Sequence, residues 1–230
     1  MLKNKIIAAA ALLALSGAGL VHAASPAVVT FTYTDLNGSY AGNSGGGTFT
    51  AVASSISPLV SSGTVSRILP AANIAVFNAG FESSAGASDA VFSISVFNKT
   101  SFTAQGLGFM TLTDFDGDQI VANIDGTWVT TFGGRTFFNG NLRQVTFVNN
   151  SGFNRFNSGP LDPGFDMFFF NNGTLTGALV QLQIIRPALG FFNTPFTKNA
   201  VQTSGQIVPT PGAMALLGIG GLIAARRRRA

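Results

Sequence analysis

Hydrophobic and polar residues alternate with a period of two along the middle of the chain. In "TFTYT", Phe31 and Tyr33 point one way and the threonines the other, and "VFSISVF" sets Phe92, Ile94 and Val96 against two serines. Successive side chains of a strand point to opposite faces, so each segment is typical of a half-buried β-strand. The same period recurs in three more segments: "QIVANIDGTWV", with Ile120, Ala122, Ile124 and Trp128 on one face; "RQVTFV", with Val145 and Phe147; and "ALVQLQII", with Ala178, Val180, Leu182 and Ile184.

Turn-forming residues separate these predicted strands. Stretches such as "DFDGD", "FNGN" and "NNSG" supply the Gly and Asn that tight hairpins need. The body of the chain shows no helical period. Many short strands with frequent turns predict an all-β domain over residues 24–197, a single antiparallel β-sandwich of the jelly-roll or lectin-like type. Residues 198–207, rich in polar and small side chains, are predicted to be a linker.

The first 23 residues have the features of a secretory signal peptide. Lys3 and Lys5 precede an apolar run, and Val21-His22-Ala23 places small residues before a cleavage point between Ala23 and Ala24. The positive charges, the apolar run and the small residues at the cleavage point occur in the order that signal peptidase recognises. We therefore expect export of the chain.

The last 23 residues, 208–230, form a second targeting segment. Pro209, Thr210 and Pro211 precede the uncharged apolar run from Gly212 to Ala225, and Arg226, Arg227, Arg228 and Arg229 follow it. As a helix, this run of about 14 residues would span about 21 Å, against roughly 30 Å of hydrocarbon in a bilayer. We expect a short C-terminal membrane helix. Its arginines favour the cytoplasmic side, which leaves the body outside the inner membrane.

This order of Pro-x-Pro motif, short apolar helix and terminal arginine cluster resembles the PEP-CTERM sorting signal of bacterial surface proteins. The resemblance covers about the last 23 residues, and Thr210 stands where the family usually has glutamate. It implies a processing partner, an exosortase-like membrane enzyme, and a place in the cell envelope, at the cell surface or outside a Gram-negative-type bacterium. Such bacteria often make extracellular polysaccharide. The alternative is a plain membrane anchor that is never cut.

Charge and composition exclude several functional classes. The chain has 13 basic and 9 acidic residues, but six of the basic residues lie in the two terminal segments. The body has a net charge of about −2, so the basic excess of the chain is no evidence for nucleic-acid binding, which requires a basic face on the folded domain. The chain has no cysteine, and its one histidine, His22, lies in the predicted signal peptide and not in the body. A Ser-His-Asp triad, a cysteine nucleophile and the usual zinc sites are therefore excluded, and we expect no enzyme activity of these kinds.

The segment "DFDGDQIVANID" is the candidate metal site. Asp114, Asp116, Asp118 and Asp125 fall at positions 1, 3, 5 and 12 of a twelve-residue calcium loop. Position 6 is Gln119 instead of glycine, and the following residues alternate like a strand. A calcium site would therefore use only the first three aspartates. The favoured interpretation is a hairpin turn whose aspartates cap exposed amides.

Two further features leave alternatives open. Glu82, the single glutamate, could pair with Asp89, Asp162 or Asp166 as the two carboxylates of a glycosidase. The Phe- and Asn-rich segment 149–174 could form a lectin-like surface, although most of its phenylalanines are expected to pack in the core.

These features predict an exported envelope or extracellular-matrix protein with a structural or adhesive role. The alternative is a carbohydrate-binding, lectin-like module assisted by calcium, and the third is a secreted glycosidase. Extracellular polysaccharide is the expected partner in the first two cases.

Overall fold

Twelve β-strands make up the regular structure of the described residues. The computed structural model describes residues 28–69, 72–87, 89–131, 134–167, 175–185 and 192–209. The all-β prediction is confirmed for this part of the chain. The strands are β1 (Val29–Asn43), β2 (Gly46–Val52), β3 (Ser62–Arg67), β4 (Asn73–Phe77), β5 (Ala90–Phe97), β6 (Thr103–Thr113), β7 (Gln119–Thr130), β8 (Thr136–Val148), β9 (Arg155–Phe156), β10 (Phe165–Asp166), β11 (Leu175–Ile184) and β12 (Phe196–Pro209).

Eight of these strands pair into one closed antiparallel sheet. Its order is β1, β2, β5, β6, β7, β8, β11 and β12, and β12 pairs again with β1. The predicted division into two packed sheets is not confirmed, and neither is the jelly-roll order. The eight strands instead keep their order along the chain around the closed sheet, with β3–β4 and β9–β10 left out of the sequence of neighbours. Alternation shows that one face of each strand is buried. It does not show whether that face opposes a second sheet or the far side of the same closed sheet.

A bend in β1 separates the part of the strand that pairs with the β3–β4 hairpin from the part that pairs with β2. Asp35 has a φ of 58°, and the pairing of β1 with β12 shifts between Tyr33 and Leu36. Such a bulge turns the strand and changes which face the following residues occupy. Before the bend β1 pairs with β3, and after it β1 pairs with β2. The β3–β4 hairpin therefore extends the sheet beside the first half of β1.

Strand β12 includes the segment predicted to be a linker, and that prediction is wrong. This segment closes the sheet, because β12 pairs with β1 between Asn199 and Ile207 and with β11 from Val201 onward. Val201 and Ile207 are fully buried, and Thr203 is nearly so. The alternation is present in the sequence, but Thr203 and Gly205 occupy two inward positions. Because these two side chains are polar or absent, the inward positions of the strand do not stand out as hydrophobic in this Gly-, Ser- and Gln-rich segment.

Aromatic side chains fill the inside of the closed sheet. Trp128 is fully buried, with its ring centroid 4.9 Å from that of Phe49, 4.8 Å from Phe138 and 4.9 Å from Phe192. Edge-to-face and tilted aromatic pairs at these separations stabilise a core beyond the area they bury. The predicted inward residues of β1, β5, β7 and β8 are buried: Phe31, Tyr33, Phe92, Ile94, Val96, Ile120, Ala122, Ile124, Trp128, Val145 and Phe147.

The predicted face of β11 is confirmed only in its second half. Leu182 and Ile184 are buried, but Ala178 is half-exposed and Leu179 is buried in its place. The pairing of β11 with β12 shifts between Leu179 and Gln181. A bulge adds one residue to a strand, so the two halves of β11 alternate in opposite phase.

The closed sheet has two ends, and both ends of the described chain leave from the same one. We call it the tail end: β1 begins there at Val29, opposite Ile207, and β12 finishes there at Pro209, opposite Leu175. The long connections between β2 and β5 and between β8 and β11 also lie there, with the turn between β6 and β7. The opposite end, which we call the hairpin end, carries the turns β1–β2, β5–β6, β7–β8 and β11–β12.

The predicted signal peptide and C-terminal membrane helix lie outside the described residues. Among the residues that are described, no helix is long and apolar enough to cross a membrane.

Candidate functional site

The predicted metal site is a tight turn at the tail end of the sheet. Residues 114–118, which we call the aspartate turn, join β6 to β7. The Asp114 amide donates to the Asp118 carbonyl at 2.9 Å, and the Asp118 amide donates to Asp114 Oδ1 at 2.8 Å. Gly117 has a φ of 93°, a conformation that glycine adopts without strain. The sequence "DFDGD" therefore forms a closed hairpin turn.

The aspartate turn anchors the loop that follows β8. Asp118 Oδ1 accepts the amides of Asn150 at 2.6 Å and Ser151 at 2.7 Å, and Asp118 Oδ2 accepts the Ser151 hydroxyl at 2.8 Å. Asp114 Oδ2 accepts the Asn157 amide at 3.0 Å. Both carboxylates are fully buried. They satisfy backbone amides of a connection that has little regular structure of its own.

Asp116 lies nearer the surface and completes the network. Its Oδ2 accepts Arg155 Nη2 at 3.1 Å and Asn157 Nδ2 at 2.7 Å. Calcium needs six to eight oxygen ligands, whereas these carboxylates already accept hydrogen bonds from N–H and O–H donors. No cluster of three or more potential metal-ligating side chains occurs in the described ranges. The geometry therefore favours the hairpin-turn interpretation, in which the aspartates accept hydrogen bonds from the turn and from the loop after β8.

Asp125, at position 12 of the calcium pattern, lies elsewhere. It is in the middle of β7, and its carboxylate makes a two-point ion pair with Arg143 on β8. The Arg143 guanidinium lowers the pKa of Asp125 below its usual value. The sequence spacing therefore does not bring Asp125 to the other three aspartates.

A second buried carboxyl, Asp89, lies near the aspartate turn. Burial raises the pKa of Asp89 to about 8, against the opposing effect of the Ser83 amide, and the charges of Glu82 and Asp114 raise it further. Burial likewise raises the pKa of Asp114 to about 6. Asp89 is only 2% exposed. At neutral pH it is therefore mostly a neutral carboxylic acid inside the tail end.

The four acidic residues considered for glycosidase chemistry occupy different settings. Glu82 is exposed and acts on Asp89 electrostatically, but Asp89 is buried and cannot contact a sugar in this conformation. Asp162 accepts the amide and hydroxyl of Ser158, and Asp166 accepts Asn154 Nδ2. The structure thus brings Glu82 and Asp89 close without opening the pair to substrate.

An exposed aromatic and hydroxyl surface on β5–β7 is a feature that sequence reasoning missed. Phe109 is 49% exposed and lies between Ser93 and Asn123 on the neighbouring strands. Leu107 is 53% exposed, between Ser95 and Asp125. Directly opposed residues share a face, so the six side chains form two adjacent rows. We call this surface the outer platform. Its signal was hidden because two adjacent apolar residues, Phe109 and Met110, leave the phase of the segment "GFMTLT" ambiguous.

The neighbours of the outer platform are polar and held by hydrogen bonds. Asn123 Nδ2 donates to Gln144 Oε1 at 2.6 Å. Beyond Ser93, Thr50 continues the row and its hydroxyl lies 2.6 Å from that of Ser39. An exposed ring among hydroxyl and amide groups can stack on a sugar while its neighbours exchange hydrogen bonds.

Two of the three described phenylalanines in the Phe- and Asn-rich segment lie in the core. Phe156 and Phe165 are buried with ring centroids 5.8 Å apart, as the core interpretation predicted. Phe153 is 62% exposed, with the Arg155 guanidinium 5.2 Å from its ring centroid. Phe168, Phe169 and Phe170 lie outside the described residues.

The predicted processing sites lie at the margins of the described chain. Pro209 is the last residue of β12 and pairs with Leu175. Ala23, Ala24, Thr210, Pro211 and the arginines Arg226 to Arg229 lie outside the described residues. Comparisons with protein-family models, with curated proteins and with solved structures find no match for this chain.

Proposed function

We propose that this chain is an exported envelope or extracellular-matrix protein with a structural or adhesive role, sorted by its C-terminal segment. The observation that carries the proposal is that Val29 and Pro209 lie at the same end of the closed sheet. A signal peptide before Val29 and an anchor after Pro209 can then both engage one membrane. The hairpin end and the sides of the sheet remain directed away from it.

The surface supports a role in contact with neutral polymers. Three of the nine acidic residues, Asp89, Asp114 and Asp118, are buried, which leaves a sparsely charged exterior. Outward positions of β1 and β2 carry Thr32, Thr34 and Thr48. Hydroxyl groups on a rigid sheet exchange hydrogen bonds with polysaccharide without requiring charge on the polymer.

Cell fractionation tests the sorting proposal. The wild-type chain should be found at the cell surface or in the medium, with only a minor inner-membrane fraction. A variant with Arg226, Arg227, Arg228 and Arg229 changed to serine should accumulate unprocessed, because the basic end that fixes the orientation is lost. Arg135→Ser, an exposed change at the hairpin end, is the matched control and should fractionate like wild type. The same distribution for all three chains would refute the proposal.

A second candidate function is carbohydrate binding by the outer platform. The observation that favours it is the half-exposed ring of Phe109 between Ser93 and Asn123. Stacking of a ring with an aromatic side chain is worth about 1–3 kcal/mol in comparable platforms for bases, and a similar range is expected for a sugar. Binding of this kind is calcium-independent, since the aspartates of the turn are already occupied by amide donors.

Affinity electrophoresis through gels that contain the host's own polysaccharide tests this second function. Wild-type protein should be retarded, and Phe109→Ala should remove most of the retardation. Phe102→Ala is the matched control, because Phe102 is 48% exposed but lies at the hairpin end. Retardation that is equal in both variants, or that disappears with EDTA, would contradict the assignment.

A further inference from the structure

The folded sheet ends almost where the apolar tail begins. Pro209 still pairs with Leu175, and Gly212 begins the apolar run. Three residues extend at most about 10 Å. If the tail is inserted in a membrane, the tail end of the sheet therefore lies within about 10 Å of the bilayer surface.

Exposed aliphatic side chains lie beside this exit point. Ile68 is 44% exposed and Leu69 is 39% exposed, both in the turn between β3 and β4. The Ile68 amide donates to the Val28 carbonyl at 2.8 Å, and the Val28 amide donates to the Ile207 carbonyl at 2.7 Å. Two successive hydrogen bonds, through Val28, thus connect the β3–β4 turn to the strand that leads into the tail.

A second loop brings another exposed leucine to the same end. Leu161 is 97% exposed, in the connection between β9 and β10. Asn73 Nδ2 donates to the Gly164 carbonyl at 2.9 Å, and Arg67 Nη1 donates to the Asp166 carbonyl at 2.9 Å. These bonds attach the loop to the β3–β4 hairpin. Leu161 and the Ile68–Leu69 pair are therefore carried on two loops fixed to each other.

The net charge of the tail end indicates which kind of lipid surface it fits. Glu82 and Asp166 are exposed there, and Asp116 and Asp162 are half-exposed. Arg67 and Arg155 are the basic residues among the described tail-end loops and strands. Excess negative charge disfavours anionic headgroups, so the surface that fits is a zwitterionic bilayer.

We propose that, before its tail is cut, the tail end rests on a zwitterionic lipid surface, with Ile68, Leu69 and Leu161 in the interfacial layer. This inference rests on the proposed anchoring role of the tail. Burial of exposed aliphatic side chains in the headgroup boundary favours such contact. The contact orients the sheet with its hairpin end outward.

Lipid quenching of single-cysteine variants tests the orientation. The chain contains no cysteine, so Leu161→Cys and Phe102→Cys each accept one environment-sensitive fluorophore. The full chain is reconstituted through its tail into phosphatidylcholine vesicles that contain a spin-labelled lipid. The Leu161 probe should be clearly quenched, because a group in the headgroup boundary lies among the spin-labelled lipids. The Phe102 probe, separated from the tail end by the length of β6, should be unaffected.

The outcomes separate the two proposals. If the chain does not float with the vesicles, the anchoring role is wrong and the inference falls with it. If it floats but the Leu161 probe is no more quenched than the Phe102 probe, only the lipid-contact surface is overturned. Adding phosphatidylglycerol should reduce quenching at Leu161, and an increase would contradict the charge argument. Trp128 emission reports that each labelled variant is folded.

Discussion

Replacement of Asp118 by alanine should destabilise the domain strongly. The change removes the acceptor for the Asn150 and Ser151 amides and for the Ser151 hydroxyl, at a site that is fully buried. Hydrogen bonds to a charged group contribute about 1.5–3 kcal/mol each, but Asn150 is exposed and its amide can regain water. We expect a loss of about 3–4 kcal/mol in the free energy of unfolding.

Urea unfolding followed by Trp128 fluorescence measures this loss. Trp128 is the single tryptophan and is fully buried, so its emission reports the whole core. The midpoint should fall while the denaturant slope stays constant, since the folded surface is unchanged. Asp118→Asn is the matched control: one side-chain oxygen remains for the two amides, and the loss should be about 1 kcal/mol.

Two results would refute the hydrogen-bond interpretation of the aspartate turn. One is an Asp118→Ala variant that stays within about 0.5 kcal/mol of wild type, as an ordinary surface change would. The other is a calcium effect. Millimolar calcium should not move the wild-type midpoint relative to EDTA. A clear rise that disappears in Asp118→Ala would show a metal site, because a ligand that binds only the folded state stabilises it.

Two more predictions follow from buried groups elsewhere. The pKa of Asp89 is raised to about 8 from 3.8, so between these pH values the folded state retains a proton that the unfolded state releases. The free energy of unfolding should therefore be highest below pH 3.8 and should fall progressively up to about pH 8, by on the order of 5 kcal/mol. Asp89→Asn should flatten this dependence in urea titrations at pH 5 and 8, and an unchanged slope would count against the burial of the carboxyl. Val201→Ala should lower the unfolding free energy by about 2 kcal/mol, whereas its half-exposed neighbour Gln202→Ala should change it by less than about 0.5 kcal/mol. Equal effects at the two positions would mean that residues 198–207 do not close the sheet.

The sequence predicts the strands better than their arrangement. Alternation identified the buried faces around Phe31, Phe92 and Ile120, because burial of one face imposes the period directly. The closure of the sheet depends on the pairing of β12 with β1, residues far apart along the chain. Single-residue shifts, such as that at Leu179, depend on the partner strand and leave no local pattern.

The candidate sites were predictable to different degrees. The spacing of Asp114, Asp116 and Asp118 marked the turn, but calcium and backbone capping require the same residues in a tight loop. The partners that distinguish the two, such as Asn150 and Asn157, lie more than thirty residues away. The outer platform was not predictable from the sequence, because the exposure of Phe109 depends on which face of β6 points outward in the folded sheet.

Intact-mass measurement of the protein from the native envelope and from the medium, with both termini mapped, tests delivery and processing most directly. We predict a start at Ala24 and an end beyond Pro209, since a cut within β12 would remove part of the strand that closes the sheet. Full-length tails ending in Arg226 to Arg229 in every fraction would contradict processing and leave a permanently tethered domain.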